Sequence, residues 1–224
     1  MKKFITSIIL ALVAVMSLNA QSFQWHQSYP SDDGMPNQKY IADYFWTSAN
    51  GKFNVFSWNE FQVAKDDFVA GTALLYGEYQ LGKSNFYLHE EVRLFTHSNN
   101  FYMTGFAYLL PFKNQNLGVY LTPMYAWHGF HDFQFSINSS YDSEKFYYEG
   151  FFDSNWIGKE YTLDGLTPVE KTVIAPSCYT EQKFYYKLNE MFQVGTNLAF
   201  AASSAGVVFR PYLVLRVQLF SQQY

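Results

Sequence analysis

The chain has 224 residues, of which 21% are aromatic and only 15% are charged, and its formal net charge is −4. A soluble domain normally carries about 25% charged residues, and a nucleic-acid-binding protein usually presents a basic surface. The composition argues against both classes, so we expect no nucleic-acid partner. Beyond residue 20, no apolar run reaches the roughly 20 residues that a transmembrane helix needs, which excludes a helical membrane protein.

The first twenty residues have the pattern of a secretory signal peptide. Lys2 and Lys3 precede an apolar stretch at residues 5–16, and the small residue Ala20 stands at the expected cleavage point. The alternative is a membrane anchor, but the apolar stretch is short for a span of roughly 20 residues. We therefore predict a signal peptide at 1–20 and an outer-membrane domain at 21–224. This domain begins with Gln21 rather than cysteine, so no lipid anchor is expected.

Strand patterns dominate the rest of the chain, and no convincing helical periodicity is present. In chain order, strands are predicted at 23–29, 39–47, 53–63, 71–81, 85–96, 101–111, 117–128, 132–140, 145–156, 176–187, 191–202 and 206–220. Asn50-Gly51 is a strong hairpin signal between the second and third of these strands. At about 9–11 residues per membrane-crossing strand, the pattern predicts an all-β fold. It is a closed antiparallel transmembrane β-barrel of about 12 strands, with 10 as the alternative.

The alternation of polar and apolar residues is clearest in the last predicted strand. One face carries the apolar positions Val207, Phe209, Pro211, Leu213, Leu215, Val217 and Leu219. The other face carries Arg210, Tyr212, Val214, Arg216 and Gln218. Such a strand has one apolar side and one wet side. No face can be assigned to 101–110, and Pro123 is expected to mark a bulge because proline cannot donate to a sheet ladder.

Six segments carry a further pattern. They are 53–62 with Trp58 and Glu60, 86–93 with His89 and Glu91, then 118–125, 149–153, 181–186 and 192–198. In this order, and followed by the closing strand, they resemble the Tsx-like superfamily of outer-membrane channels, whose type member is a nucleoside-specific pore. Within it, the chain is most similar to a branch described only as a domain of unknown function. The resemblance implies an antiparallel barrel with a narrow aqueous lumen and passage of nucleosides or similar small solutes.

Charged side chains within strands are expected to face the interior, since Lys or Arg on the lipid face costs about 2–4 kcal/mol near the midplane. The alternation selects thirteen candidate lumen and solute-binding residues: Trp58, Glu60, Tyr76, Glu78, His89, Glu91, Arg93, Glu149, Asp153, Glu181, Lys183, Arg210 and Arg216. They predict either a polar track that passes a solute or a plugged interior of paired charges. Glu90 contradicts the pattern, because it shares its face with Leu88 and Val92. Either a position near a membrane interface or a register slip would explain it.

Several aromatic residues fall near predicted strand ends, where outer-membrane barrels carry aromatic girdles. They are Trp25, Trp46, Trp127, Trp156, Tyr147 and Tyr148. We expect these side chains to lie at the two membrane interfaces rather than in a binding site.

The search for chemistry yields one weak candidate. No G-x-S-x-G elbow and no zinc or phosphate-loop motif is present. His128 and His131, beside Asp132, could act as a metal site or general base, which leaves a lipid-modifying outer-membrane enzyme as an alternative. Otherwise the sequence predicts no enzyme, no catalytic residues, no metal and no cofactor. Cys178 is the single cysteine and cannot form an internal disulfide.

The combined prediction is a protein of the outer membrane of a Gram-negative bacterium, exported through its signal peptide. Its expected partners are outer-membrane lipid, a small polar solute and, during biogenesis, the barrel-assembly machinery. The predicted function is a porin-like channel for passive passage of small polar solutes, with nucleosides among them. A plugged structural barrel and a lipid-modifying enzyme are the alternatives.

Overall fold

The computed structural model describes residues 22–28, 38–64, 67–96, 100–114, 116–128, 133–157, 160–161, 168–169, 175–203 and 206–219. The strands in this part are β1 (Ser22–Ser28), β2 (Gln38–Thr47), β3 (Phe53–Ala64), β4 (Asp67–Gln80), β5 (Phe86–Phe95), β6 (Phe101–Leu109), β7 (Leu117–His128), β8 (Phe133–Asp142), β9 (Phe146–Ile157), β10 (Glu160–Tyr161), β11 (Pro168–Val169), β12 (Ala175–Lys187), β13 (Phe192–Ser203) and β14 (Gly206–Gln218). None of the described residues belongs to a helix that is long and apolar enough to cross a membrane. The predicted signal peptide lies outside the described residues.

Twelve strands close into one antiparallel barrel, in which β1 pairs with both β2 and β14. The short strands β10 and β11 pair only with each other, within the connection from β9 to β12. The prediction of 12 strands is confirmed, and the alternative of 10 is wrong. Alternation located the strands because every strand of a closed barrel has neighbours on both sides and most of these strands have one apolar and one polar face.

Two connections at one end of the barrel are tight turns with a glycine of positive φ. The predicted Asn50-Gly51 turn joins β2 to β3, and Gly51 has the positive φ of 68° that glycine adopts without strain. Gly82 does the same between β4 and β5. At the opposite end, the connections 29–37 and 158–174 are long, whereas 65–66 and 204–205 are short. Long connections therefore occur at only some of the hairpins at this end.

The outer wall carries large apolar side chains that stay exposed. On β14, outward-facing Phe209 and Leu213 are exposed, whereas inward-facing Tyr212, Val214 and Arg216 are buried, which agrees with the alternation expected for this strand. A protein with this much exposed apolar surface needs an apolar environment around it. A lipid bilayer around the barrel meets this need.

The aromatic residues near the strand ends divide into two groups. Trp46, Trp127 and Trp156 are exposed near the ends of β2, β7 and β9, which fits an interfacial girdle. Tyr147 instead faces the lumen, where its ring lies 4.7 Å from the guanidinium carbon of Arg216. The prediction of a girdle position for Tyr147 is therefore wrong.

The pairing of β6 with β7 shows how a proline, Pro123, is accommodated within a strand of the barrel. Pro123 lies within β7, but the pairing on either side of it, Gly105 with Met124 and Tyr108 with Leu121, keeps one register. The expected bulge at Pro123 is wrong, and the irregularity lies instead at 102/103. Gly105 permits the close approach, since a Cβ there would lie 2.1 Å from the carbonyl oxygen of Pro123.

Glu90 faces outward, and no register slip accounts for it. It pairs with Gly77 on β4 and with Thr104 on β6. The Thr104 hydroxyl donates a hydrogen bond to the Glu90 carboxylate. A neighbour without a side chain on one flank and a hydrogen-bond donor on the other accommodate this acidic group on the outer wall.

Candidate functional site

The inward-facing side chains form a polar lumen that is filled by the side chains themselves. Gln134, Glu181 and Asn197, on three different strands, have no exposed surface. Buried polar groups of this kind are stable only when facing groups satisfy them. Contacts across the lumen therefore define the candidate site.

Lys39 on β2 makes the most buried of these contacts. Its Nζ lies 2.7 Å from Oε1 of Glu181 on β12 and 3.5 Å from Oε2 of Glu60 on β3. Three strands, β1, β14 and β13, separate β2 from β12 along the wall, so the Lys39–Glu181 pair crosses the interior. The Glu181 carboxylate also accepts hydrogen bonds from Asn197, at 2.9 Å, and from the Tyr179 hydroxyl.

Glu149 on β9 is the centre of a second cluster. Its Oε1 lies 3.1 Å from Nζ of Lys183, and its Oε2 lies 3.7 Å from Nη1 of Arg216. Tyr147 donates to Oε2 at 3.0 Å, and the Gln24 amide on β1 donates to Oε1 at 3.3 Å. Strands β14, β13 and β12 lie between β1 and β9, so the bond from Gln24 is a further tie across the lumen.

Strand β1 contributes an inward row that the sequence pattern did not single out. Ser22 and Gln24 donate to Oδ2 of Asp43 at 2.6 and 3.0 Å. Tyr185 on β12 donates its hydroxyl to the amide oxygen of Gln24 at 2.9 Å. The signal that could have found the β1 row is its alternation: Ser22, Gln24 and His26 are separated by Phe23 and Trp25.

A third cluster lies on β4, β5 and β9. Nδ1 of His89 lies 3.0 Å from Glu78, and its Nε2 lies 3.2 Å from Glu91. Arg93 donates to Glu91, and its Nη1 donates to Oδ2 of Asp153 at 3.0 Å. Strands β6, β7 and β8 separate β5 from β9, so the Arg93–Asp153 pair is another crossing of the lumen.

Three aromatic residues of the lumen, each able to stack on a solute, already have neighbours. The Lys183 ammonium lies 5.8 Å from the centre of the Trp58 ring, within the range of a cation–π contact. The Tyr76 ring lies 5.0 Å from the imidazole of the third cluster. Tyr185 is buried, with its ring 5.5 Å from the Arg216 guanidinium. A solute could stack on these rings only by displacing the groups that contact them.

The structure brings twelve of the thirteen predicted lumen residues into these contacts. They are Trp58, Glu60, Tyr76, Glu78, His89, Glu91, Arg93, Glu149, Asp153, Glu181, Lys183 and Arg216. Arg210 stays apart: it is half-buried on β14, opposite Ala199, and does not join the clusters. A role of any of them in solute binding stays a prediction.

One segment of the lumen wall is apolar. Phe101 and Met103 on β6 pack with Met124 and Ala126 on β7, and Phe95 on β5 lies against them. These residues occupy inward-facing positions, which is why no wet face could be assigned to 101–110. The lumen therefore has a charged part and a smaller apolar part.

Buried polar atoms without a hydrogen-bond partner gather in the lumen. Among the described residues they are Trp58 Nε1, Glu60 Oε2, Thr122 Oγ1, Gln134 Oε1, Asn155 Oδ1, Gln193 Oε1 and Asn197 Oδ1. Their strand registers place all of them on inward faces. Native interiors satisfy nearly all such atoms, so these point to contact with water or a solute.

The rim site proposed for catalysis is only partly described. His128 is the last residue of β7, whereas His131 and Asp132 lie outside the described residues. Within the described ranges, no group of three or more His, Cys, Asp or Glu residues could hold a metal ion. Cys178 is a free, half-buried residue of β12. The enzyme alternative thus receives no support from the geometry.

Comparison with known proteins places this architecture. No protein-family model matches the chain, and no curated protein matches it. Solved porin structures do: the NanC porin aligns with a TM-score of 0.60 at 6% identity, covering 89% of this chain and 99% of the porin. The KdgM porin aligns with a TM-score of 0.52 at 12% identity, with the same two coverages. Another KdgM structure, in complex with disordered oligogalacturonate, has a TM-score of 0.49 at 14% identity, again covering 89% and 99%.

Identities this low establish a shared fold and nothing further. The chain has the closed antiparallel barrel of outer-membrane porins. Membership of the Tsx-like superfamily is not shown by these comparisons, and that resemblance stays a prediction.

Proposed function

We propose that this protein is a narrow outer-membrane channel for small polar solutes, constricted in the described state by side chains that cross its lumen. It would reach the outer membrane of a Gram-negative bacterium through its signal peptide and the barrel-assembly machinery. The porin fold and the exposed apolar outer wall support this location.

The observation that carries the channel function is the set of unpartnered polar atoms inside the lumen. A barrel of 8 strands is filled by side chains, and one of about 16 strands leaves an open channel, so a 12-strand lumen could be of either kind. A dry, permanent plug would be expected to satisfy its buried polar atoms with its own side chains. Gln134 and Asn197 are fully buried, yet each has a carbonyl oxygen without a partner, which favours a hydrated path.

The polarity of the lumen wall indicates the class of solutes. Nucleosides remain a class to be tested, but Trp58 and Tyr185 already contact cationic side chains. Stacking of a base would require these cations to move. We therefore propose small polar solutes in general, without a preference for nucleosides.

A second candidate, a plugged structural barrel, is favoured by the ion pairs themselves. The side chains of Lys39 and Glu181 are 5% and 0% exposed, and no solute can pass between them without separating them. In this alternative, the clusters stabilise the barrel and never open.

Planar-bilayer recording of the purified protein distinguishes the two candidates. We expect small, discrete conductance steps for the wild type. Arg93→Ala should enlarge these steps, because it removes one tie across the lumen and a long side chain. Arg210→Ala is the matched control: it also removes an inward-facing arginine, but one outside the clusters, and should change the steps less.

Silence of both the wild type and Arg93→Ala at high protein load would overturn the channel proposal. A silent wild type with a conducting Arg93→Ala would instead establish the plugged barrel. Swelling of protein-containing liposomes in uridine, glucose or oligogalacturonate, the ligand of the KdgM complex, would then rank the solutes.

A further inference from the structure

The charges that line the lumen are not balanced. Among the described residues, and leaving aside the Asp142–Lys187 pair at the ends of β8 and β12, the inward-facing carboxylates are Asp43, Glu60, Glu78, Glu91, Glu149, Asp153 and Glu181. The inward-facing permanent cations are Lys39, Arg93, Lys183, Arg210 and Arg216. Seven carboxylates thus face five permanent cations. The inward-facing histidines His26 and His89 are not included in this count. Rings of acidic side chains are what cation-selective pores use.

Most of the cations are already engaged. Lys39, Arg93, Lys183 and Arg216 each lie within ion-pair distance of a lumen carboxylate. An anionic solute would have to compete with these carboxylates for every such cation and would itself be repelled by them. Asp43, in contrast, accepts hydrogen bonds from the uncharged side chains of Ser22 and Gln24.

The buried polar atoms without a hydrogen-bond partner also favour a solute that donates hydrogen bonds. Those of Gln134, Asn155, Gln193 and Asn197 are amide carbonyl oxygens, which only accept hydrogen bonds, and Oε2 of Glu60 is a carboxylate oxygen that lies 3.5 Å from Nζ of Lys39. Hydroxyl groups such as Thr122 can act either way, and the one obligate donor among these atoms is the indole nitrogen of Trp58. A solute that satisfies these buried atoms must therefore carry hydrogen-bond donors.

Two of these acceptors lie side by side. Gln134 on β8 pairs directly with Asn155 on β9, and the next inward pair along the same two strands is Ser136 with Asp153. The Gln134 amide donates to Ser136 at 2.7 Å, and Ser136 donates to Asp153 at 2.6 Å. This chain of bonds orients the Gln134 carbonyl and leaves its oxygen unpaired. Two amide carbonyls and a carboxylate then line one strip of the wall.

We propose that the lumen is selective for cations over anions, and that Gln134, Asn155 and Asp153 form a subsite for a solute that carries an ammonium group. The inference rests on the proposed channel function. It also gives a way for the lumen to open. An ammonium group that binds Asp153 takes the place of Arg93, and Arg93 keeps its ion pair with Glu91. Entry of the solute would then break the Arg93–Asp153 ion pair, which is one of the contacts that cross the lumen.

Ion selectivity tests the first half of the proposal. In planar bilayers with a KCl gradient, the reversal potential should give a potassium-to-chloride permeability ratio above unity. Glu91→Gln and, separately, Glu78→Gln should move this ratio towards unity, since each removes one lumen charge. Glu90→Gln is the matched control, because it makes the same change one position away on the outer face and should leave the ratio unaltered. Currents that favour chloride would overturn the inference while leaving the channel function intact.

Binding of a polyamine tests the second half without any need for conduction. Spermidine should bind the folded barrel in isothermal titration. Gln134→Leu should weaken that binding roughly tenfold, as expected when one hydrogen bond to a charged group is lost. Asn155→Leu should act similarly, whereas Glu90→Gln should have no effect. If the bilayers are silent, the channel function fails and titration still decides the subsite. Equal spermidine binding by all variants, or none by the wild type, would overturn it.

Discussion

The lumen has two walls that are held together in different ways. From β9 through β12, β13, β14 and β1 to β3, the inner wall is a network of directional contacts such as Lys39–Glu181 and Arg216–Glu149. Between β6 and β7, the wall is an apolar cluster that includes Met103 and Met124. Charged pairs fix distances and angles, whereas apolar contacts need only the right volume. The charged wall therefore sets the shape of the lumen, and the apolar wall can adjust to it.

The largest effect is expected from removing a single charge in the charged wall. Lys39→Met leaves Glu181 and Glu60 without their shared cation in a buried setting. The cost should be about 3–5 kcal/mol of stability, the usual range for breaking a buried pair. Urea-induced unfolding of the barrel in lipid vesicles, followed by tryptophan fluorescence, measures it.

A double variant shows whether the charge itself is responsible. Lys39→Met combined with Glu181→Leu removes the cation together with its nearer carboxylate, leaves only Glu60 without this cation, and should cost less than Lys39→Met alone. Equal losses in the two proteins would contradict the assignment of Lys39 to a buried ion pair.

A smaller effect is expected in the apolar wall. Met103 is 1% exposed, and Met103→Ala should cost about 2–3 kcal/mol through lost contacts and a cavity. The same unfolding assay applies, and Met103→Leu is the control that keeps the volume. If Met103→Ala proved neutral, the apolar cluster would not contribute to stability, and the difference between the two walls would disappear.

The close approach at the β6–β7 seam gives the next effect. Gly105→Ala places a Cβ 2.1 Å from the Pro123 carbonyl oxygen, and overpacking of this kind should cost about 1–3 kcal/mol. Gly77→Ala on β4 is the matched control, since its Cβ would meet only the Phe53 ring at 3.5 Å. Gel mobility of unheated samples reports the folded fraction. Equal folding yields for the two variants would argue against the tight seam.

The smallest effect is expected at the rim. Lys187 contacts Asp142, but this carboxylate is 52% exposed, and exposed pairs contribute only about 0.2–1 kcal/mol. Lys187→Ala should therefore reduce stability slightly, and less so in high salt. A loss as large as that of Lys39→Met would mean that burial does not separate lumen pairs from rim pairs.

The barrel could be predicted from the sequence because each strand records its two faces in its own residues. Alternation located the twelve strands, and it correctly assigned Glu181 and Lys183 to one inward face. On β6 it failed, since Phe101 and Met103 are apolar residues that face the lumen. Alternation reports polarity, and it cannot distinguish an apolar stretch of lumen from a lipid-facing stretch.

The contacts across the lumen could not be predicted in this way. Lys39 and Asp43 were missed because the inward position between them on β2 is the apolar Ile41, which hides the polar row. The pairing of Lys39 with Glu181 depends on how the strands are staggered around the ring, and this stagger is a property of the closed barrel. Individual strands therefore indicate which groups face inward, whereas only the assembled ring defines their partners.

The hydrogen bonds and ion pairs that join distant strands inside the barrel affect how the chain folds. Arg216 donates to Ser22, 194 residues earlier in the chain, and Lys39 contacts Glu181 across 142 residues. Contacts between such distant segments form late and slow folding. Before β1 meets β14, the amino-terminal strands hold Lys39 away from its main carboxylate partner. Closure of the ring and neutralisation of these charges are thus one event, which makes a partly zipped sheet an unstable intermediate and the final pairing of first and last strands cooperative.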